Sequence, residues 1–145
     1  MKRSTGLRDY MLATGSFKQA IDGSVIRIYA GTEPASADDA IAGAVLLAVI
    51  SKDGSGAGVS MSAVPASGVL TKNTSEVWIG DVVANGQAAF FRMEKPGDSS
   101  GVSTTAVRLQ GSVGLINSDL NLSSLTMVVG DARRINNFVA AIPAN

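Results

Sequence analysis

Apolar residues in this chain come in short runs, and glycine, proline, asparagine or aspartate ends each one before it reaches helix length. That punctuation fits β-strands and little else. Runs of strand type lie at residues 25–29, 44–51, 59–64, 76–79, 82–84, 88–93, 106–113, 120–129 and 133–142, the last stopped by Pro143. Residues 44–51 are continuously apolar, as expected of a central strand buried on both faces. Residues 59–64 alternate Val59, Met61 and Ala63 with serines, the period of a half-buried strand. Asn85-Gly86 sits between two runs and predicts a tight hairpin. About eight to nine short strands without long intervening helices predict an all-β fold, a jelly-roll-like β-sandwich.

Composition narrows the chemistry. The 145 residues include no histidine and no cysteine, which removes the usual neutral-pH base, thiol nucleophiles and disulfides. Twelve basic and twelve acidic residues cancel, so no general field draws the chain to nucleic acid. The most apolar stretch, residues 40–50, is too short for the roughly 20 residues that span a bilayer. Arg8 and Asp9 interrupt any secretory apolar run, and synthesis in a cytosol is expected. Area scaling predicts roughly 7,000 Å² of surface for one folded domain of this size, enough core to need no metal or disulfide.

The first 22 residues differ from the rest. Ser4 and Thr5 are placed to cap a short helix with Leu7, Tyr10 and Met11 on one stripe. Ser16 and Gln19 have capping-box spacing at a second turn. Lys2, Arg3, Arg8 and Lys18 stand against Asp9 until Asp22 closes the segment, which makes residues 1–22 a basic, weakly helical arm ahead of a sandwich domain at 23–145. One reading is a frayed terminus. The sharper one is a docking arm: Leu7, Met11 and Phe17 pack on a partner while Lys2, Arg3 and Arg8 meet its acidic groups.

Other constellations carry less. Gly97-Asp98-Ser99-Ser100-Gly101 matches a nucleophile-elbow spacing but lacks the histidine that would take the serine proton, so a solvent loop is expected. Asp38-Asp39 with Glu33 lacks EF-hand spacing and reads as helix-start or solvated charge. Trp78, Tyr29, Phe90 and Phe91 suit either a sugar-stacking platform or the core, and with seven aromatics in the chain the core has the stronger claim. No catalytic residue, metal ligand or cofactor site is expected.

Several strings resemble small structural proteins of tailed bacteriophages: Arg3-Ser4-Thr5-Gly6-Leu7-Arg8, Ile26-Arg27-Ile28-Tyr29-Ala30-Gly31, the stretch from Thr105 to Gly114, and Asp119-Leu120-Asn121-Leu122. The nearest family is that of capsid cementing, or decoration, proteins on shells of the HK97-type major capsid protein. The resemblance implies a non-enzymatic sandwich on the outer capsid surface of the virion. Its implied partners are the major capsid protein and further copies of itself, a dimer before a trimer. A tail protein or a carbohydrate-binding adhesin module is the alternative.

Overall fold

The computed structural model describes residues 1–141. In chain order its elements are β1 (Lys2–Arg3), α1 (Thr5–Ala13), α2 (Phe17–Ile21), β2 (Val25–Ala30), β3 (Val45–Lys52), β4 (Val69–Thr71), β5 (Trp78–Asp81), β6 (Gly86–Gln87), β7 (Phe90–Glu94), β8 (Arg108–Gly114), β9 (Leu120–Asn121), β10 (Thr126–Met127), β11 (Ala132–Ile135) and β12 (Val139–Ala141). The fold is an all-β sandwich with a short helical N-terminus, as the punctuation predicts. The main sheet runs β1-β8-β7-β2-β3-β5-β11, with β9 beside β8; β6·β10 and β4·β12 form two small antiparallel pairs. The accessible surface, 7230 Å², agrees with the scaling for one domain.

Alternation along β2, β7 and β8 sends Ile26, Ile28, Phe91, Met93 and Leu109 to one face of the sheet. That face meets Leu7, Ala20 and Ile21 from the helices, Val59 and Met61, Leu70, Met127 and Ala140 in one continuous hydrophobic core. Phe138 joins its aromatic centre, with ring centroids 5.9 Å from Trp78 and 5.8 Å from Phe91. β3 is central as expected, bonded to β2 on one side and β5 on the other.

Some expectations fail locally. Asn85-Gly86 makes no hairpin turn: Gly86 lacks the positive φ that such a turn requires. Instead Gly86–Gln87 pairs with β10, and Asn85 Oδ1 accepts the Val129 N–H at 2.8 Å. A Cβ on residue 86 would sit 2.9 Å from Leu47 Cδ2, so glycine serves a close approach there. Residues 59–64 form only bridges, Val59 to Ser24 and Met61 to Lys72, and Ala63 is exposed. The runs at 120–129 and 133–142 each break into two strands, the second interrupted by Asn136-Asn137. The expected stop at Pro143 lies outside the described residues. Among the described residues no helix is long and apolar enough to cross a membrane.

Candidate functional site

The N-terminal segment is built into the domain. Ser4 caps α1 by accepting the Leu7 N–H at 3.1 Å; its hydroxyl also donates to Ala106 O at 2.7 Å and accepts the Arg108 N–H at 2.9 Å. Asp38 accepts both the N–H and the hydroxyl of Thr5, at 2.8 and 2.7 Å. Burial opposes the charge on Asp38, but these bonds with Arg8 and Arg108 nearby hold its pKa below the ordinary carboxylate value. A Cβ on Gly6 would lie 2.2 Å from Thr105 O, so the helix rests directly on the neighbouring backbone. The second turn has the expected capping box, Ser16 with Gln19. Residues 1–22, expected as a basic, weakly helical arm ahead of the sandwich, contribute Leu7, Ala20 and Ile21 to its core.

The six expected contact residues diverge. Leu7 is fully buried in this chain's own core and is unavailable to a partner. Met11 is half-buried against the same core. Lys2 and Arg3 face opposite ways because they alternate along β1, opposite Gln110 and Leu109 respectively. Lys2 pairs with Glu33 at 3.1 Å and donates to Pro34 O at 2.8 Å. Arg8 is exposed and donates to Thr5 Oγ1 at 2.9 Å. Arg3 and Phe17 do come together, on the walls of an apolar groove.

That groove holds about 920 Å³ and runs between β1 and α2 on one side and the β4·β12 pair on the other. Leu70, Leu109, Phe138 and Ala140 contribute apolar lining, Arg3 and Lys18 bring positive charge, and Asp119 lies at one end. Lys18 is paired with Asp22 one helical turn on. Asp119 accepts from the Met1 ammonium at 2.8 Å and from Ser112 N–H at 3.1 Å; these bonds outweigh its burial and lower its pKa. Arg3 forms no ion pair among the described residues.

The other face of the main sheet is the feature that sequence reasoning missed. Arg27, Arg92, Glu94, Arg108 and Gln110 lie there beneath the loops at 31–44 and 95–107. Arg108 grips Asp98 with two bonds, at 2.8 and 2.6 Å, and donates to Gly101 O at 2.7 Å. Arg27 pairs with Glu94 and donates to Pro96 O at 3.0 Å and Asp98 O at 3.1 Å. Arg92 holds Gln110 Oε1 and donates to Asp39 O at 2.9 Å. Each guanidinium thus fastens loop carbonyls to the sheet beneath. Within this network Glu94 Oε2 lacks a hydrogen bond, and it stands 3.6 Å from Arg108 Nε. Burial raises the cost of the Asp98 charge, yet the Arg108 bonds prevail and its pKa falls below the ordinary value.

This network also decides the motifs. Ser100, inside the elbow-like string, donates to Glu94 and has a left-handed φ of 57°, so the string is a strut of the roof. Asp38 turns to Thr5, Asp39 to the Ser36 N–H and Glu33 to Gln110, so the three carboxylates do not converge on a cation. Among the described residues no group of three metal-ligating side chains gathers. Trp78, Phe90 and Phe91 are fully buried and Tyr29 nearly so, which places all four in packing, with Tyr29 stacked on Phe90 at 5.1 Å.

No family model, curated protein or solved structure matches this chain.

Proposed function

We propose that this chain is a structural virion protein that binds the outer surface of a tailed-phage head and cements neighbouring major capsid protein subunits, acting as a homo-oligomer. The observation that carries the reading is the groove of about 920 Å³, where Arg3 and Phe17 meet an apolar floor of Leu70, Leu109 and Phe138. Clefts of that composition suit insertion of a partner's side chains, with apolar contacts providing adhesion and the unpaired Arg3 orientation. The string resemblance supplies the lattice as partner.

A cement acts by differential binding. If its footprint spans two subunits only in the expanded shell, occupancy stabilises that state by RT ln(1 + [L]/Kd) per site, about 2.7 kcal/mol at a 100-fold excess over Kd. A roof clamped by three arginines suits that task, because a rigid body transmits the spacing between subunits. The adhesin alternative weakens, since Trp78 is fully buried and offers a sugar no accessible face. The test is stoichiometry and attachment. Copies in purified virions should approach those of the major capsid protein, and the protein should sediment with expanded empty shells but not with unexpanded ones. A handful of copies per particle would place it in the tail and overturn the reading.

A further inference from the structure

A second cavity, about 410 Å³, opens between the end of β4 and the turn from β11 to β12, with Lys72, Arg134, Thr74, Ser75, Asn136 and Asn137 among its walls. Lys72 is 8% exposed, an unusual degree of burial for an ammonium. Its Nζ donates to Asn73 O at 3.0 Å and to Glu76 O, which leaves one of three N–H donors uncommitted. It also stands 5.4 Å from the centroid of the Trp78 ring.

The carboxylate nearest in sequence does not answer this charge. Glu76 accepts Ser60 N–H at 2.8 Å, Ser60 Oγ at 2.7 Å and Trp78 Nε1 at 3.0 Å, and its ion pair is with Lys52 at 3.6 Å. Neither Lys72 nor Arg134 has an ion pair among the described residues. Burial lowers the pKa of Lys72 and the Arg134 charge lowers it further, against a smaller opposing pull from Glu76. Two cations that repel across a polar cavity are both relieved by an anion placed between them.

The local charge sets the size of that anion. Lys52, Lys72 and Arg134 give three positive charges; Glu76 and Asp53, whose carboxylate accepts the Val77 N–H at 3.3 Å, give two negative ones. Three against two leaves one unit in excess, which matches a single monoanion. The lining is hydroxyl, amide and cationic apart from Glu76, whose carboxylate is bonded to Ser60 and Trp78, and Val77 is its one aliphatic wall, so an apolar metabolite body finds little enclosure. We propose that the Lys72–Arg134 cavity is a binding site for one carboxylate, presented by an acidic side chain of a protein partner. This holds independently of whether that partner is a capsid.

Trp78 is the sole tryptophan and lies beside Lys72, so its emission and its indole N–H resonance report on the site. The full chain is titrated with sodium acetate, with sodium chloride at matched ionic strength, with inorganic phosphate, and with an acetylated, amidated tri-glutamate peptide. Acetate should shift Trp78 saturably with a Kd in the roughly millimolar range, and the peptide should bind more tightly. Arg134 is exposed, so Arg134→Gln should fold normally and bind the peptide about tenfold more weakly, as losing one charge-assisted pair implies. Lys72→Met should abolish the response. An equal shift with chloride, or unchanged affinity in Arg134→Gln, would overturn the site. Tighter binding of phosphate than of acetate would overturn the single-charge argument, and a peptide no tighter than acetate would overturn the protein-borne source.

Discussion

The two faces of the main sheet are both buried, yet they are held by opposite means. On one, Ile26, Ile28, Phe91, Met93 and Leu109 pack into a continuous apolar core. On the other, Arg27, Arg92, Glu94, Arg108 and Gln110 are sealed under two loops by directed bonds. Dispersion and apolar burial have little directionality, so the first face tolerates similar shapes. The second depends on each partner being present, because a buried charge that loses its counter-ion retains its desolvation cost. Strength therefore concentrates on the core side and specificity on the roofed side.

Substitutions that contrast the two faces should separate them most. Arg108→Met leaves Asp98 without its cation and Glu94 with Arg27 alone, and should cost about 3–5 kcal/mol, whereas Ile28→Val on the core face should cost about 0.5–1.5 kcal/mol. Urea unfolding followed by Trp78 emission checks both. Equal losses would dissolve the distinction.

The N-terminal tie ranks next. Gly6→Ala drives a methyl into the Thr105 carbonyl, and Ser4→Ala removes a cap along with two bonds to the 106–108 backbone. Each should cost about 1–3 kcal/mol in the same assay. A loss near zero would restore the arm ahead of the sandwich.

Acid should also discriminate between the faces. Asp98 and Asp38 have folded pKa values below their unfolded ones, so they contribute stability that is fully present above the ordinary carboxylate pKa. That contribution is lost as pH falls through the depressed folded values. Thermal unfolding from pH 7 downward should show this loss in the parent and in Ile28→Val. Asp98→Asn should show a shallower acid limb.

The smallest effects on stability belong to the groove. Arg3→Ala should change unfolding by less than about 1 kcal/mol and yet weaken attachment to expanded shells; Phe17→Ala, which truncates a ring half-buried against the core, should weaken attachment at a somewhat larger cost in stability. Raising salt from about 0.1 to 1 M should weaken attachment of the parent only modestly, since Arg3 is the one unpaired cation on the walls. Steep salt dependence would shift the weight from the apolar floor to ionic docking.

Legibility in the sequence followed the same division. The strands on the core face announce themselves through Ile26, Ile28, Leu109 and the continuous run that became β3. The helix caps at Ser4 and Ser16 are local and were equally plain. The roofed face was hidden because Arg27, Arg92 and Arg108 alternate with apolar neighbours, the pattern of a strand with one side in water. Their partners lie in loops that look solvated when read alone. Asn85-Gly86 misled for a related reason: local turn preference yielded to pairing with residues 126–127, far along the chain. In the groove, Arg3 and Phe17 were found through charge and apolar stripe. Leu109 and Phe138 were not, since only the folded chain brings them alongside.

The arginine-pinned roof has a consequence for how this molecule would be dismantled. Loops of that length are usually where proteases begin, but here the peptide carbonyls at Pro96, Asp98, Gly101 and Asp39 are fastened to side chains rooted in the sheet beneath. Cutting at those pinned residues should therefore be slow. The glycine-rich bend at 53–58, exposed along most of its length, offers the easier first cut, and nicking there would leave the roof in place.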